Sequence, residues 1–249
     1  MFGLDPAMLA LIAFAMALGG LVKGAIGIGL PIVCVAILSH FLEVPLVLAI
    51  VTIPICLTNF WQAVMAGDPL VPIRRFWPMI LCLLVTLWLS AKLVVRLDPA
   101  VLYGLIGCAV VIFTVTSFVR PSRGMGPSAE RWAGPLAGIL GGFLGGISTM
   151  WGPPMMMYFV MLRLSKEDFI RSVGLVWFAA SVPLVAGYVA NGILTAESAQ
   201  LSALACIPAF VGLWLGQWLR RFIDQETFRK VLLLTLFLIG LNLIRRALF

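Results

Sequence analysis

One histidine, five cysteines and ten acidic residues are all that this 249-residue chain offers to metal or acid–base chemistry. Cys34, Cys56, Cys82, Cys108 and Cys206 fall in separate apolar segments and never form a CxxC pair, which argues against a zinc spacing and against a disulfide framework. His40 stands alone, an HExxH motif is missing, and no carboxylate pair lies inside an apolar run. Catalytic residues, a metal and a cofactor are therefore not expected, because a nucleophile needs a base, and a metal its ligands, within reach. Polar stretches long enough for a soluble domain are also lacking. Charged residues make up 11% of the chain and apolar ones 62%, and the apolar ones form runs of roughly 20, about the length that crosses a bilayer. The expected fold is an all-α polytopic membrane protein, its two repeats together forming one transmembrane domain.

The formal charge of +7 does not point to nucleic acid, since Lys and Arg sit in short clusters between apolar runs, as membrane topology requires. The first residues, Met1 to Pro6, carry no basic group ahead of the apolar run, so that run is expected to be kept as a helix rather than cleaved as a signal.

Apolar periodicity predicts helical segments at about 7–22, 30–42, 45–66, 76–95 and 99–119, then 133–147, 153–163, 168–190, 198–219 and 228–244. The second segment of each group of five is short for a crossing. It is expected to pair with the first as a broken or re-entrant helix. Between the groups, Arg120 to Arg131 is rich in Pro, Gly and charge and reads as a linker, giving repeats over 1–125 and 126–249. A shift of 122 positions superposes Ala15, Leu18, Gly19, Gly20, Gly24 and Pro31 on Ala137, Leu140, Gly141, Gly142, Gly146 and Pro153. A shift of 126 superposes Trp88, Asp98 and Arg120 on Trp214, Asp224 and Arg246, so an internal duplication is expected. Thirteen Lys and Arg lie in or beside odd-numbered loops, against four in even-numbered loops and the carboxyl end. The excess of positive charge places odd loops in the cytoplasm and both termini outside, which makes the repeats inverted.

Two glycine-rich interruptions mark corresponding places in the halves: Gly20 to Pro31, and Gly142 to Pro154. In lipid, irregular backbone survives only where protein or a water-filled cavity satisfies it. Pro31 and Pro153 suit the first turn of a helix, so each half would aim a helix amino terminus at a shared anion site. Gly134, Gly138, Gly142 and Gly146, with Gly20 and Gly24, have the every-fourth spacing of helix packing. Gly27, Gly29 and Gly152 lie outside it and are stronger site candidates. Lys23 either snorkels to an interface or supplies the counter-charge for the substrate. Asn59, Ser148, Thr149 and Ser181 are polar residues in apolar runs, with Asn59 and Ser181 aligned by the 122 shift. Thr52, Thr58, Gln62 and Ser172 are similar but weaker candidates. Trp61, Trp77, Trp132 and Trp218 lie near segment ends, where an aromatic belt belongs. Trp151 lies inside the second interruption, where it either packs or walls the pocket. His40 and Glu43 end the second segment near the outer interface.

The motifs Gly20-x-x-x-Gly24-x-x-Gly27-x-Gly29-x-Pro31, followed by Ala49 and Asn59, and Gly138-x-x-x-Gly142-x-x-x-Gly146, followed by Gly152-Pro153, resemble the TauE/SafE family of sulfite and organosulfonate exporters. Arg96-Leu-Asp98-Pro99 and Phe222-Ile-Asp224 are also similar to the family pattern, and the likeness spans the whole chain. It implies a bacterial inner-membrane carrier for small sulfur anions such as sulfite or sulfoacetate. Ser148 to Trp151 departs from it, where the family is commonly richer in glycine. The expected substrate site is Lys23, Gly24, Gly27, Gly29, Pro31, Asn59, Ser148, Thr149, Trp151, Gly152, Pro153 and Ser181. The expected partners are a small anion and the lipid bilayer, with the oligomeric state left open, a homodimer included. The alternative is a membrane-embedded assembly factor or enzyme without transport. A cation carrier is disfavoured because no acid lies mid-segment.

Overall fold

The computed structural model describes residues 5–65, 67–68, 70–118, 125–219, 222 and 225–248. The first part of the linker, 120–124, with Arg120 and Arg123, lies outside the described residues, as do Arg220, Arg221 and Asp224. Ten helices follow in order: α1 (Pro6–Ile26), α2 (Leu30–Leu38), α3 (Val44–Met65), α4 (Leu70–Ala91), α5 (Pro99–Phe118), α6 (Pro127–Ser148), α7 (Gly152–Met161), α8 (Lys166–Ala190), α9 (Ala196–Leu219) and α10 (Gln225–Leu248). No strand occurs among the described residues. Five of these helices, α1, α3, α4, α8 and α9, contain stretches long and apolar enough to cross a membrane.

Local chemistry sets the boundaries. Asp5 caps α1 by accepting from the Met8 N–H at 2.6 Å, with Pro6 in the first turn, where its missing N–H costs nothing. Two helices begin earlier than apolarity alone predicts. The Asp68 carboxylate accepts from the Leu70 N–H at 2.8 Å and starts α4 there rather than at 76. Pro127 and Glu130 occupy the first turn of α6, which starts six residues before the predicted 133. Arg74 and Arg75 in α4, and Glu130 and Arg131 in α6, interrupt the apolar pattern near the amino end, so a search for apolar runs begins after them.

α1 packs along α9 and α4 along α6, while α3 lies against α8 and α5 against α10. Replacing each helix by the one five places away maps these pairs onto themselves or one another. Glycine sets the closeness of two of the seams. A Cβ on Gly20 or Gly24 would strike the Ala209 or Leu213 carbonyl of α9, and one on Gly212 or Gly216 would strike the Ala17 or Leu21 carbonyl of α1. Across the other seam, Gly138, Gly142 and Gly146 face the Met79, Leu83 and Leu87 carbonyls of α4, with the added Cβ of Gly142 only 2.6 Å from the Leu83 oxygen. Backbones approach this closely only when no side chain intervenes, and the gain is dispersion between helices in a solvent as apolar as themselves. Arg75 and Glu130 pair across the α4–α6 seam at 2.9 Å.

Of the two short helices α2 is interior, while α7 buries one side and leaves Met157 and Val160 exposed. α2 is buried nearly all round, from Leu30 through Ile32, Val33, Cys34, Val35 and Ala36 to Leu38. Its nine residues span about 14 Å, half the bilayer core. α7 inserts Met155 and Phe159, fully buried, with the Phe159 ring 5.3 Å from Phe76 and 6.5 Å from Trp177. Large apolar side chains cover the outer faces, among them Phe14, Trp77, Ile207 and Trp214, all more than half exposed as lipid-facing residues should be. Pro54 inside α3 leaves the Ile50 carbonyl without its helical donor, and Ser202 of α9 donates to it at 2.8 Å.

The glycine seams make a direct prediction. Gly212→Ala should overpack α9 on α1 and destabilise the protein by about 1–3 kcal/mol, seen as a lower unfolding temperature in detergent. Gly126→Ala, which meets nothing within 4 Å, should stay within about 0.5 kcal/mol of the parent.

Candidate functional site

Two backbone turns that share a left-handed helix stop frame the site. α1 ends where Gly27 enters the left-handed region at φ 90° and gives its N–H to the Lys23 carbonyl at 2.7 Å. Gly29, also left-handed at φ 115°, then starts α2, with Pro31 in its first turn. In the second half, Thr149 ends α6 at φ 62° and gives its N–H to the Gly145 carbonyl at 2.8 Å, and α7 begins at Gly152. The 122 shift pairs Gly27 with Thr149 and Lys23 with Gly145, so both halves make the same helix stop at the same position. Thr149 holds a conformation that costs a β-branched residue of order 1–2 kcal/mol relative to glycine.

A cavity of about 20 Å³ lies between these turns. That is room for about one water-sized group. Of the predicted residues, Lys23, Gly29, Pro31, Asn59, Thr149, Trp151 and Gly152 line it. Ile28, Ile32, Ile55, Met150 and Trp177 complete the wall and were not among the predicted site residues. The 122 shift that pairs Asn59 with Ser181 also pairs four of these five with one another, Ile55 with Trp177 and Ile28 with Met150, but their apolar side chains give no sign of a site along the sequence.

Lys23 is only 5% exposed, its side chain turned inward against α3 rather than out to a surface. Its ammonium donates to the Asn59 side-chain oxygen and, at 3.1 Å, to the Thr58 hydroxyl. Thr58 can accept because its own proton goes to the Pro54 carbonyl at 2.6 Å. Asn59 is held in turn, its amide nitrogen donating to Ser181 Oγ at 3.0 Å and to the Trp177 carbonyl at 3.2 Å. With its oxygen and both amide protons engaged, Asn59 orients Lys23 and has no donor left over. Both acceptors of Lys23 are neutral, and among the described residues no carboxylate lines the cavity and no ion pair involves Lys23. One ammonium proton has no protein acceptor in these bonds.

The second half contributes differently. Ser148 Oγ donates to the Leu144 carbonyl at 2.6 Å and the Thr149 hydroxyl to the Ser148 carbonyl at 2.5 Å, so both hydroxyl protons are engaged within the turn. Pro153 and Pro154 lack N–H groups, which removes two donors from the first turn of α7. Pro153 sits in that turn, and its side chain lies outside the described residues. Trp151 is 2% exposed and its indole N–H has no hydrogen-bond partner.

Four predicted site residues are not in the cavity wall. Gly24 abuts the Leu213 carbonyl in the α1–α9 seam, Gly27 forms the turn behind Lys23, Ser148 braces the second turn, and Ser181 stands behind Asn59. His40 lies elsewhere: its ring takes part in bonds to the Ala36 carbonyl at 2.8 Å and to Asn242 at 2.7 Å, tying the end of α2 to α10. The assembled chemistry is a cation and neutral donors in an apolar wall. It suits holding an anion and contains no nucleophile–base pair.

No curated protein and no solved structure matches the chain. The protein family described as sulfite exporter TauE/SafE matches it over residues 11–243, nearly its whole length. The chain is therefore a multi-pass membrane protein of the TauE/SafE sulfite exporter family.

Proposed function

We propose that this protein is a secondary carrier exporting small sulfur oxyanions, sulfite or an organosulfonate, across a bacterial inner membrane. The observation that carries the reading is Lys23. A buried ammonium bound only to neutral oxygens has lost its hydration without gaining a counter-ion, and an anion in the adjoining cavity would supply one. The first turn of α2, with its helix dipole, adds partial positive charge on the same side. The direction of transport rests on the family description.

The carrier would consist of two inverted repeats, 1–125 and 126–249, each opening on a broken helix, α1/α2 and α6/α7. Three observations support this reading. Helix pairs exchange under a five-helix step. Gly20 and Gly24 meet Ala209 and Leu213, while their mates Gly142 and Gly146 meet Leu83 and Leu87, which are the mates of Ala209 and Leu213 under the 126 shift. Asn59 touches Ser181, its own mate under the 122 shift. A residue and its symmetry mate meet only on the axis that relates them, so the axis of the repeats would pass beside Lys23. Rocking of one half against the other about that point would open the small cavity first to one side and then to the other.

Lys23→Met keeps the length of the side chain and removes its charge. It should lower proteoliposome flux of labelled sulfite or sulfoacetate by about 30-fold or more, and unchanged flux would remove the proposed site. Asn59→Asp places a carboxylate where the amide oxygen now accepts from Lys23. This internal counter-ion should compete with the substrate and abolish flux while leaving the unfolding temperature no lower than that of the parent. Normal flux in that variant would show that Lys23 does not meet the substrate charge.

A further inference from the structure

Trp151 presents the one feature of the cavity that its role as a wall leaves unexplained. The indole is almost wholly buried, it lines the same cavity as Lys23, and its N–H has no acceptor in the protein. Buried donors are nearly always paired, so an orphaned one beside a cavity marks the place of an absent acceptor. The neighbouring side-chain donors are already committed: Asn59 to Ser181 and the Trp177 carbonyl, Thr149 to the Ser148 carbonyl, and Ser148 to the Leu144 carbonyl. Pro153 and Pro154 have no N–H to offer, which leaves Trp151 and Gly152 as the backbone donors at the start of α7. Among the described lining residues, the side-chain donors without a protein acceptor are the remaining proton of Lys23 and the indole N–H groups of Trp151 and Trp177, and of the two indole groups that of Trp151 is the one fully shut away from solvent.

Resting on the carrier reading above, we propose that Trp151 is a ligand-contacting, specificity-determining donor, and that it and Lys23 together select a singly charged oxyanion over a doubly charged one. The charge count is the reason. Among the described residues, Lys23 is the only charged one that lines the cavity, and Trp151 donates without carrying charge. A monoanion is neutralised there. A dianion would leave one charge uncompensated among Ile28, Ile32, Ile55 and Met150, in a wall that cannot solvate it. Once rocking has widened the cavity beyond its present room for one water-sized group, the form bound would be hydrogen sulfite for sulfite, and for sulfonates the single sulfonate group, with any small apolar substituent against the isoleucines.

The test is counterflow in proteoliposomes with labelled methanesulfonate, a monoanion, and labelled sulfate, a dianion at neutral pH. The parent should exchange methanesulfonate with an efficiency on the order of 100-fold or more above that for sulfate. Trp151→Phe keeps an aromatic ring and removes the N–H; it should raise KM for methanesulfonate about 10- to 100-fold, with the unfolding temperature of the ligand-free protein not lowered. A role confined to packing would leave KM unchanged. Should Trp151→Phe fail to fold, the parent alone decides the charge selection: methanesulfonate should raise its unfolding temperature, and sulfate at matched ionic strength should not. Equal handling of the two anions, or an unchanged KM in a folded Trp151→Phe protein, overturns this inference and leaves the carrier reading standing. Exchange of no anion at all by the parent overturns both.

Discussion

The structure is organised around a positive charge with nowhere to go. Lys23 lies one turn before the end of α1, and its ammonium is held on the Asn59 and Thr58 oxygens of α3 and shielded from any surface. Moving an ammonium from water into such a place is costly unless an opposite charge joins it, and removal of either supporting acceptor would make it costlier. Thr58 is free to accept only because its proton goes to Pro54, and Asn59 points its oxygen at Lys23 only because Ser181 and Trp177 hold its amide from the other half. The two halves therefore cooperate in presenting one cation, and a negative solute would complete the arrangement.

The glycine seams make that presentation geometrically achievable. α1 and α9 touch backbone to backbone through Gly20, Gly24, Gly212 and Gly216, and α6 and α4 through Gly138, Gly142 and Gly146. Close seams leave room in the centre for two short helices, α2 and α7, whose first turns flank the cavity. The left-handed stops at Gly27 and Thr149 then redirect the chain within a few residues. The second turn repeats the left-handed stop of the first with a threonine in place of the glycine and then diverges, Trp151 taking φ −75° where Gly29 has φ 115°. Tyr188, buried, steadies the end of α6 by donating to the Gly146 carbonyl at 3.0 Å.

Much of this was readable from composition and spacing, and the remainder was not for identifiable reasons. All ten helices follow from apolar runs, because a membrane segment must be apolar along its whole length. The starts of α4 and α6 were misplaced because charged residues just inside each helix, Arg74 and Arg75 in α4 and Glu130 and Arg131 in α6, cut the apolar runs short, while Asp68 and Pro127 set the starts. The every-fourth glycines were legible as packing residues, but the carbonyls they meet depend on which helices are neighbours. The 122 shift brought Asn59 and Ser181 into register, yet nothing in the sequence says that mates must touch. Lys23 was equally readable as a residue reaching for the interface, because only the fold reveals that Thr58 and Asn59 are turned toward it. The orphaned N–H of Trp151 is a property of its surroundings and has no signature along the chain.

The most direct measurement follows the Lys23 ammonium itself. Lysine labelled with nitrogen-15 gives four side-chain signals in this chain, from Lys23, Lys92, Lys166 and Lys230, and Lys23→Met identifies the first by its disappearance. Addition of methanesulfonate to the membrane-reconstituted protein should move the Lys23 signal and leave the other three in place. A Lys23 signal unmoved by saturating anion, in protein shown to transport it, would contradict the account.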